Sequence, residues 1–296
     1  MAEARGHPAA PRRCAVLGSP IAHSLSPVLH RAAYEALGLD GWEYTGVECD
    51  EARLPGLLAG LDDSWVGLSL TMPLKRAVLP LLDEVSPLAA SVRAVNTVLR
   101  HAPSAGLPVG GRSRLTGDNT DVPGMASLLA DQAYAGEDGV MVLGGGATAC
   151  AALAALAQRG ASGVELRVRE ASRAQETVEV GTALGVRVEV ASLPSGEELA
   201  DATLVVSTVP AGAGDRLAEV LASATAARTP GLLVDVVYAG WPTPLAAAWA
   251  AAGGRVVGGL ELLVRQAALQ VEVFTGCQAP LEAMRTAGQR ALAARS

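Results

Sequence analysis

The sequence predicts an α/β protein of two units, each built on a sheet with parallel strands, and three observations carry that expectation. Short apolar runs alternate with helix-period patterns along most of the chain. From residue 139 the strands become almost continuously apolar, as strands of a parallel sheet covered on both faces should be. Between one of those strands and an alanine-rich helix stands the turn Gly144-Gly145-Gly146-Ala147-Thr148-Ala149.

Taken in order, residues 1–13 carry charges at both ends with no long apolar stretch behind them, so they read as a frayed tail and not as a signal peptide. A first unit, residues 1–121, follows the series CAVLG, SPVLHRAAYEALG, WEYTGVE, LPGLLAGL, VGLSL, further helical stretches and AVNTVLR, which is βαβ traffic. Its first helix should take Ser26 as N-cap and Pro27 at the first helical position. The join falls near Asp121-Val122-Pro123-Gly124, read as a hinge. A second unit, residues 122–257, runs VMVL, a helix to Arg159, VELRV, a helix over 172–185, VRVEV, TLVVS and LLVDVV. Residues 258–296 are helical, and their pattern alone allows packing on either unit. The uncharged run 139–157 is long enough to be weighed as a membrane span, but its glycines divide it into strand and helix.

With 296 residues and half of them hydrophobic, the chain has material for a substantial core. A net charge of −7, with no basic block, argues against nucleic acid and against an anionic membrane as partner and for a small ligand. Cys14, Cys49, Cys150 and Cys277 stand far apart, with no CxxC and no nearby histidine pattern, as reduced thiols of a cytoplasmic protein without a metal site would.

Several residues are candidates for chemistry. The glycine turn fits the GxGxxG/A spacing, which lets backbone approach a pyrophosphate at a helix N-terminus. Past the next strand the signals conflict: Glu170 suits the ribose hydroxyls of NAD, whereas Arg169 and Arg173 suit the 2′-phosphate of NADP. Ser24 and Ser26 place two hydroxyls at a helix start, a seat for a carboxylate. Asn96 in an apolar strand pattern and Asp121 at the end of "GDNTD" need partners if buried. Lys75 is the only lysine among 23 basic residues. Arginine keeps its proton in proteins and lysine can exchange one, which makes Lys75 a candidate proton shuttle.

Taken together, "GSPIAHSLSP" (18–27), "LSLTMPLK" (68–75), "AVNTV" (94–98), "GDNTD" (117–121), the turn at 144, "VSTVP" (206–210), "DVVY" (235–238) and "GLELLVRQAALQ" (259–270) resemble the shikimate dehydrogenase family over nearly the whole chain. The resemblance implies an N-terminal substrate domain, a Rossmann-type NADP domain and a C-terminal helix returning to the first domain. It implies Lys75 as catalytic proton donor and acceptor with Asp121 beside it, and Ser24 and Ser26 on the substrate carboxylate. Thr71, Asn96, Tyr238 and Gln266 would also contact substrate. Gly144, Gly145, Gly146, Ala147, Thr148, Arg169, Arg173, Thr208, Val236 and Gly259 would line the cofactor. The implied partners are shikimate or 3-dehydroshikimate and NADP, with NAD possible, in a monomer or homodimer.

This chain departs from the family pattern at Ser69, where asparagine is common, at Ala147 and Cys150, where glycine and arginine are common, and at Val168 and Glu170. A quinate/shikimate dehydrogenase using NAD and a non-catalytic dinucleotide-binding sensor remain as alternatives. Ser26, where relatives acting on quinate often carry threonine, tilts the first comparison toward shikimate, and the joint presence of Lys75 and Asp121 tilts the second toward catalysis.

Overall fold

A computed structural model describes residues 11–102, 113–225 and 228–295, so most of the tail expected to fray lies outside the described residues. The first sheet is formed by β1 (Arg12–Gly18), β2 (Trp42–Glu48), β3 (Trp65–Leu70), β4 (Glu84–Val85), β5 (Thr97–His101) and β6 (Arg114–Asp118), in the order β2-β1-β3-β5-β6-β4. Strands β1, β2 and β3 pair in parallel, but β5 pairs antiparallel with both β3 and β6. The expectation of βαβ traffic throughout this unit is therefore corrected to a mixed sheet. An apolar run marks a strand without encoding its direction, which long-range pairing decides.

Alternation along β1 divides the first core. Cys14 and Val16 face α1 (Ser26–Ala36), α11 (Gly259–Thr275) and α12 (Leu281–Ala293) through Leu29, Ala33, Val264, Val271 and Met284. Ala15 and Leu17 face the opposite way, onto Leu54 and Leu58 of α2 (Leu54–Ala59) and Leu74 of α3 (Leu74–Ala77). Leu17 is fully buried, and its truncation to alanine would cost about 2–5 kcal/mol. The C-terminal helices thus pack on one face of the first sheet.

The second sheet is wholly parallel: β7 (Val140–Leu143), β8 (Gly163–Arg167), β9 (Arg187–Ala191), β10 (Leu204–Ser207), β11 (Leu232–Asp235) and β12 (Arg255–Gly258), in the order β12-β11-β10-β7-β8-β9. Val140 and Val142 pack toward α5 (Asp121–Asp131) and α6 (Ala147–Gln158), while Met141 and Leu143 pack toward α9 (Asp215–Ala222) and α10 (Pro244–Ala251). Both faces are covered, which is why these strands read as continuous apolar runs.

Residues 121–124 are the first turn of α5, not an irregular hinge. Proline is tolerated early in a helix because its missing N–H has no intrahelical partner there, so "DVPG" continues the chain as helix. The helix expected over 172–185 is a 3-10 turn, Ala171–Arg173, followed by α7 (Gln175–Ala183). Two ion pairs, Arg76–Glu176 at 3.0 Å and Arg93–Glu179 at 2.6 Å, tie the first unit to α7. Among the described residues no helix is long and apolar enough to cross a membrane.

Candidate active site

Strand order in the second sheet reverses between β7 and β10, the switch point where open α/β sheets leave a crevice beyond their strand ends. The glycine turn follows β7 there, and Thr208 follows β10. Facing it from the first unit is a cavity of about 280 Å³. Its lining includes Ser24, Ser26, Thr71, Lys75, Asn96 and Asp121, with Tyr238 and Gln266 from later in the chain. Thr148, Val236 and Gly259 complete the wall toward the second sheet. The fold thus gathers the eight substrate-side candidates into one chamber, together with three of the cofactor-side candidates.

Lys75 lies on the short helix α3 just beyond β3, and Asp121 opens α5 just beyond β6. Lys75 Nζ donates to Asp121 Oδ2 at 2.7 Å, and both side chains are largely shielded, at 16% and 10% exposure. The other carboxylate oxygen, Oδ1, accepts from Asn96 Nδ2 at 2.9 Å. The orientation of the Asn96 amide is fixed by its neighbours: its oxygen accepts the Thr120 backbone N–H at 2.8 Å and the Thr97 hydroxyl at 2.8 Å. A backbone N–H can only donate, so the nitrogen of Asn96 must face Asp121. The pair presents one amine to the cavity in a fixed place, with its carboxylate partner itself held.

The carboxylate seat corrects one local expectation. Helix α1 begins at Ser26, its N-cap is Leu25, and no side chain caps it. Ser24 Oγ instead accepts the Ser26 backbone N–H at 3.3 Å, satisfying one free donor at the helix start from outside the helix. The Ser26 hydroxyl is buried within the cavity wall. Tyr238 closes this end. Burial raises its phenol pKa, opposed by the nearby Leu25 backbone, the Arg295 guanidinium and the Ser24 hydroxyl. Asp235 holds the turn that carries Tyr238, accepting the Val237 N–H at 3.2 Å and the Thr243 hydroxyl at 2.7 Å.

On the cofactor side, Gly144 has φ +99° and a Cβ there would sit 2.8 Å from the Thr208 hydroxyl oxygen, so both conformation and space demand glycine. A Cβ at Gly146 would meet no atom within 4 Å, which leaves that side of the turn open to a pyrophosphate at the start of the 12-residue helix α6. The Gly145 carbonyl accepts the Thr177 hydroxyl at 3.0 Å, and Thr208 donates to the Leu143 carbonyl at 2.7 Å, bracing the loop from both flanks. These groups fit a dinucleotide. Arg169 and Glu170 are exposed on the segment after β8. The side chain of Arg173 lies outside the described residues. Gly144, Gly145, Gly146, Ala147, Arg169 and Thr208 do not line the cavity itself. Arg167, two residues before Arg169, is buried and pairs with Glu165 and Glu198, so it serves the fold. Cys150 is buried, its sulfur 3.6 Å from Arg76 Nη2 and 3.7 Å from Thr177 Oγ1, and burial raises its thiol pKa.

Five residues belong to this site that the candidate set omits: Thr97, Thr120, Tyr44, Ser69 and Gln270. Thr120 donates its backbone N–H to Asn96. Tyr44 donates to Ser69 at 2.6 Å, Ser69 donates to Gln270 Oε1 at 2.7 Å, and Gln270 Nε2 donates to the Thr97 hydroxyl at 2.9 Å. The departure at Ser69 therefore places a hydroxyl that is engaged with Tyr44 and Gln270. Gln270 carried a sequence signal, since it stands one helical turn from Gln266 and shares its face. Tyr44 carried none.

A nucleotide-binding turn that opens onto a fixed amine and a polar chamber is the arrangement of a dinucleotide-dependent oxidoreductase that moves a proton beside a hydride. Known proteins narrow that class. Residues 16–98 match the family model described as the shikimate dehydrogenase substrate binding domain, and residues 259–287 match the shikimate 5′-dehydrogenase C-terminal domain. A shikimate dehydrogenase (NADP(+)) of Geobacter metallireducens is 35% identical over 287 residues, covering 94% of this chain and 95% of that protein. The crystal structure of Mycobacterium tuberculosis shikimate dehydrogenase superposes with a TM-score of 0.81 at 41% identity, covering 95% of this chain and all of that one. The Thermus thermophilus enzyme, solved in complex with NADP(H) and shikimate, gives a TM-score of 0.78 at 35% identity, with 95% and 100% coverage. The chain belongs to the shikimate dehydrogenase family.

Proposed function

We propose that this protein is an NADP-dependent shikimate dehydrogenase, reversibly reducing 3-dehydroshikimate to shikimate on the way to chorismate and the aromatic amino acids. The observation that carries the reading is the Lys75–Asp121–Asn96 unit at 2.7 and 2.9 Å, in one chamber with Ser24, Ser26 and Tyr238. Ser24, Ser26 and Tyr238 take the substrate carboxylate, and Thr71, Asn96 and Gln266 take its ring hydroxyls. This places the carbonyl to be reduced toward Lys75. NADPH, when bound, supplies the hydride that becomes the new C–H bond. The Lys75 ammonium gives its proton to the carbonyl oxygen, and in the oxidation of shikimate the neutral amine takes that proton back. Asp121 aims the amine through Oδ2 and carries the compensating charge. Asn96 keeps Asp121 from rotating away.

Gly144 to Thr148 would cradle the pyrophosphate, and Arg169 with Arg173 would clamp the 2′-phosphate, with Thr208, Val236 and Gly259 along the nicotinamide side. Residues 1–121 act as the substrate domain, 122–257 as the cofactor domain and 258–296 as a return to the first. The enzyme works in the cytoplasm as a monomer or homodimer. Initial rates of reduced-coenzyme formation, with shikimate or quinate each paired with NADP⁺ or NAD⁺, test the reading. Fast turnover is expected only for shikimate with NADP⁺. Preference for NAD⁺ would hand the ribose site to Glu170, and no turnover by folded protein that binds dinucleotide would point to a sensor.

A further inference from the structure

Helix α12 runs antiparallel along α1. Gly288 is packed tightly between two helices, since a Cβ there would lie 3.0 Å from Leu29 of α1 and 2.8 Å from Leu260 of α11. Seven residues further on, the chain reaches the start of α1, and Arg295 Nη1 donates to the His23 carbonyl at 2.8 Å across 272 positions of sequence. His23, Ser24 and Ser26 line the substrate cavity. The same guanidinium acts on the Tyr238 phenol, at the other side of this end of the cavity.

An anionic substrate approaching this chain meets a net charge of −7. Among the described residues, Lys75 is the one lysine or arginine lining the cavity, and it is paired with Asp121. The hydroxyls of Ser24, Ser26 and Tyr238 can donate hydrogen bonds but bring no charge. Arg295, exposed and without a carboxylate in salt-bridge range among the described residues, is bonded to the carbonyl of His23, the residue that precedes Ser24.

We propose that Arg295 is a positioning residue for the substrate carboxylate: it pins the His23–Ser26 loop through the His23 carbonyl and leaves a positive charge beside the Ser24 and Tyr238 hydroxyls. The inference rests on the shikimate reading above and deepens it, making the end of the chain part of carboxylate recognition. The competing role is a cation at the C-terminus of α12, which would stabilise that helix without touching substrate affinity.

Steady-state kinetics of wild type, Arg295→Ala and Arg295→Lys separate the two. In Arg295→Ala the KM for shikimate should rise about fivefold to tenfold, the effect of one lost charge-assisted bond at a partly screened site. The kcat should stay within about twofold and the KM for NADP⁺ should not change, because the amine and the glycine turn are untouched. Arg295→Lys should recover most of the affinity, and the gap between wild type and Arg295→Ala should narrow between about 50 mM and about 500 mM salt. An unchanged shikimate KM in Arg295→Ala, with or without a lower melting temperature, overturns the inference, as does a fall confined to kcat. A wild type that neither binds nor turns over shikimate overturns the functional reading and takes this inference with it. A wild type that turns it over with Arg295→Ala indistinguishable from it overturns this inference alone.

Discussion

On the first-sheet side of the cleft, one oxygen of Asp121 is held by Lys75 and the other by Asn96, whose own amide is fixed by Thr97 and Thr120. On the second-sheet side, Gly146 faces open space and Arg169 stands exposed. The difference fits the roles proposed for the two walls. A proton-transfer group acts well only if its direction is set before substrate arrives, so its bonds are made within the protein. A pyrophosphate brings its own charges and acceptors, so the wall that meets it needs free backbone, space and cations that are not engaged elsewhere.

Removing the amine is the sharpest way to test that comparison. Lys75→Met should lower kcat by about 10²- to 10⁴-fold, the usual range for a general acid and base. The dissociation constant for NADP⁺, read by fluorescence titration, should be unchanged. Comparable loss of dinucleotide binding would mean that the two walls are not separable. On the opposite wall, Arg169→Ala should raise the KM for NADP⁺ by about 10- to 100-fold, the equivalent of one or two charge-assisted hydrogen bonds. The KM for shikimate should stay put, and an NADP⁺ KM within twofold of wild type would transfer the 2′-phosphate to other groups.

The smallest effect comes from behind the substrate wall. His30 is fully buried and stacks on Tyr44 with ring centroids 3.8 Å apart. Burial lowers its pKa to about 3, slightly opposed by the Gln270 amide. The unfolded chain protonates this histidine below its ordinary pKa and the folded chain does not, so stability falls as the pH drops below about 6.5 and continues to fall toward 3. Urea unfolding at pH 6.5 and pH 5 should show wild type losing about 2 kcal/mol more than His30→Phe across that interval. Equal losses would show that His30 does not carry the acid sensitivity of the substrate unit.

Legibility in the sequence follows the range of the forces involved. The glycine turn was readable because Gly144 answers a local demand, a positive φ immediately after a strand. Lys75 stands out in the sequence because it is the one lysine in a chain otherwise basic through arginine, and the fold sets it in the cavity beside Asp121. The N-cap falls at Leu25, one residue before Ser26: the Leu25 carbonyl accepts the Val28 and Leu29 N–H groups, Ser24 accepts that of Ser26, and Ser26 is itself the first helical residue. The "DVPG" segment suggested a hinge, yet proline near a helix start is compatible with the helix it opens. Antiparallel pairing of β5 was hidden because each strand pattern is the same in either direction.

By itself the sequence determined the two-unit α/β plan, the helical C-terminus, the glycine turn between strand and helix and the single lysine, since these depend on residue type and on periodicities of a few residues. Only the tertiary structure decided that Asn96 would lock Asp121, that Tyr44, Ser69 and Gln270 would stand behind them, and that Arg295 would reach His23. Those contacts join residues separated by 25 to 272 positions along the chain. Their geometry is set by how sheets and helices pack, which no local window of sequence encodes.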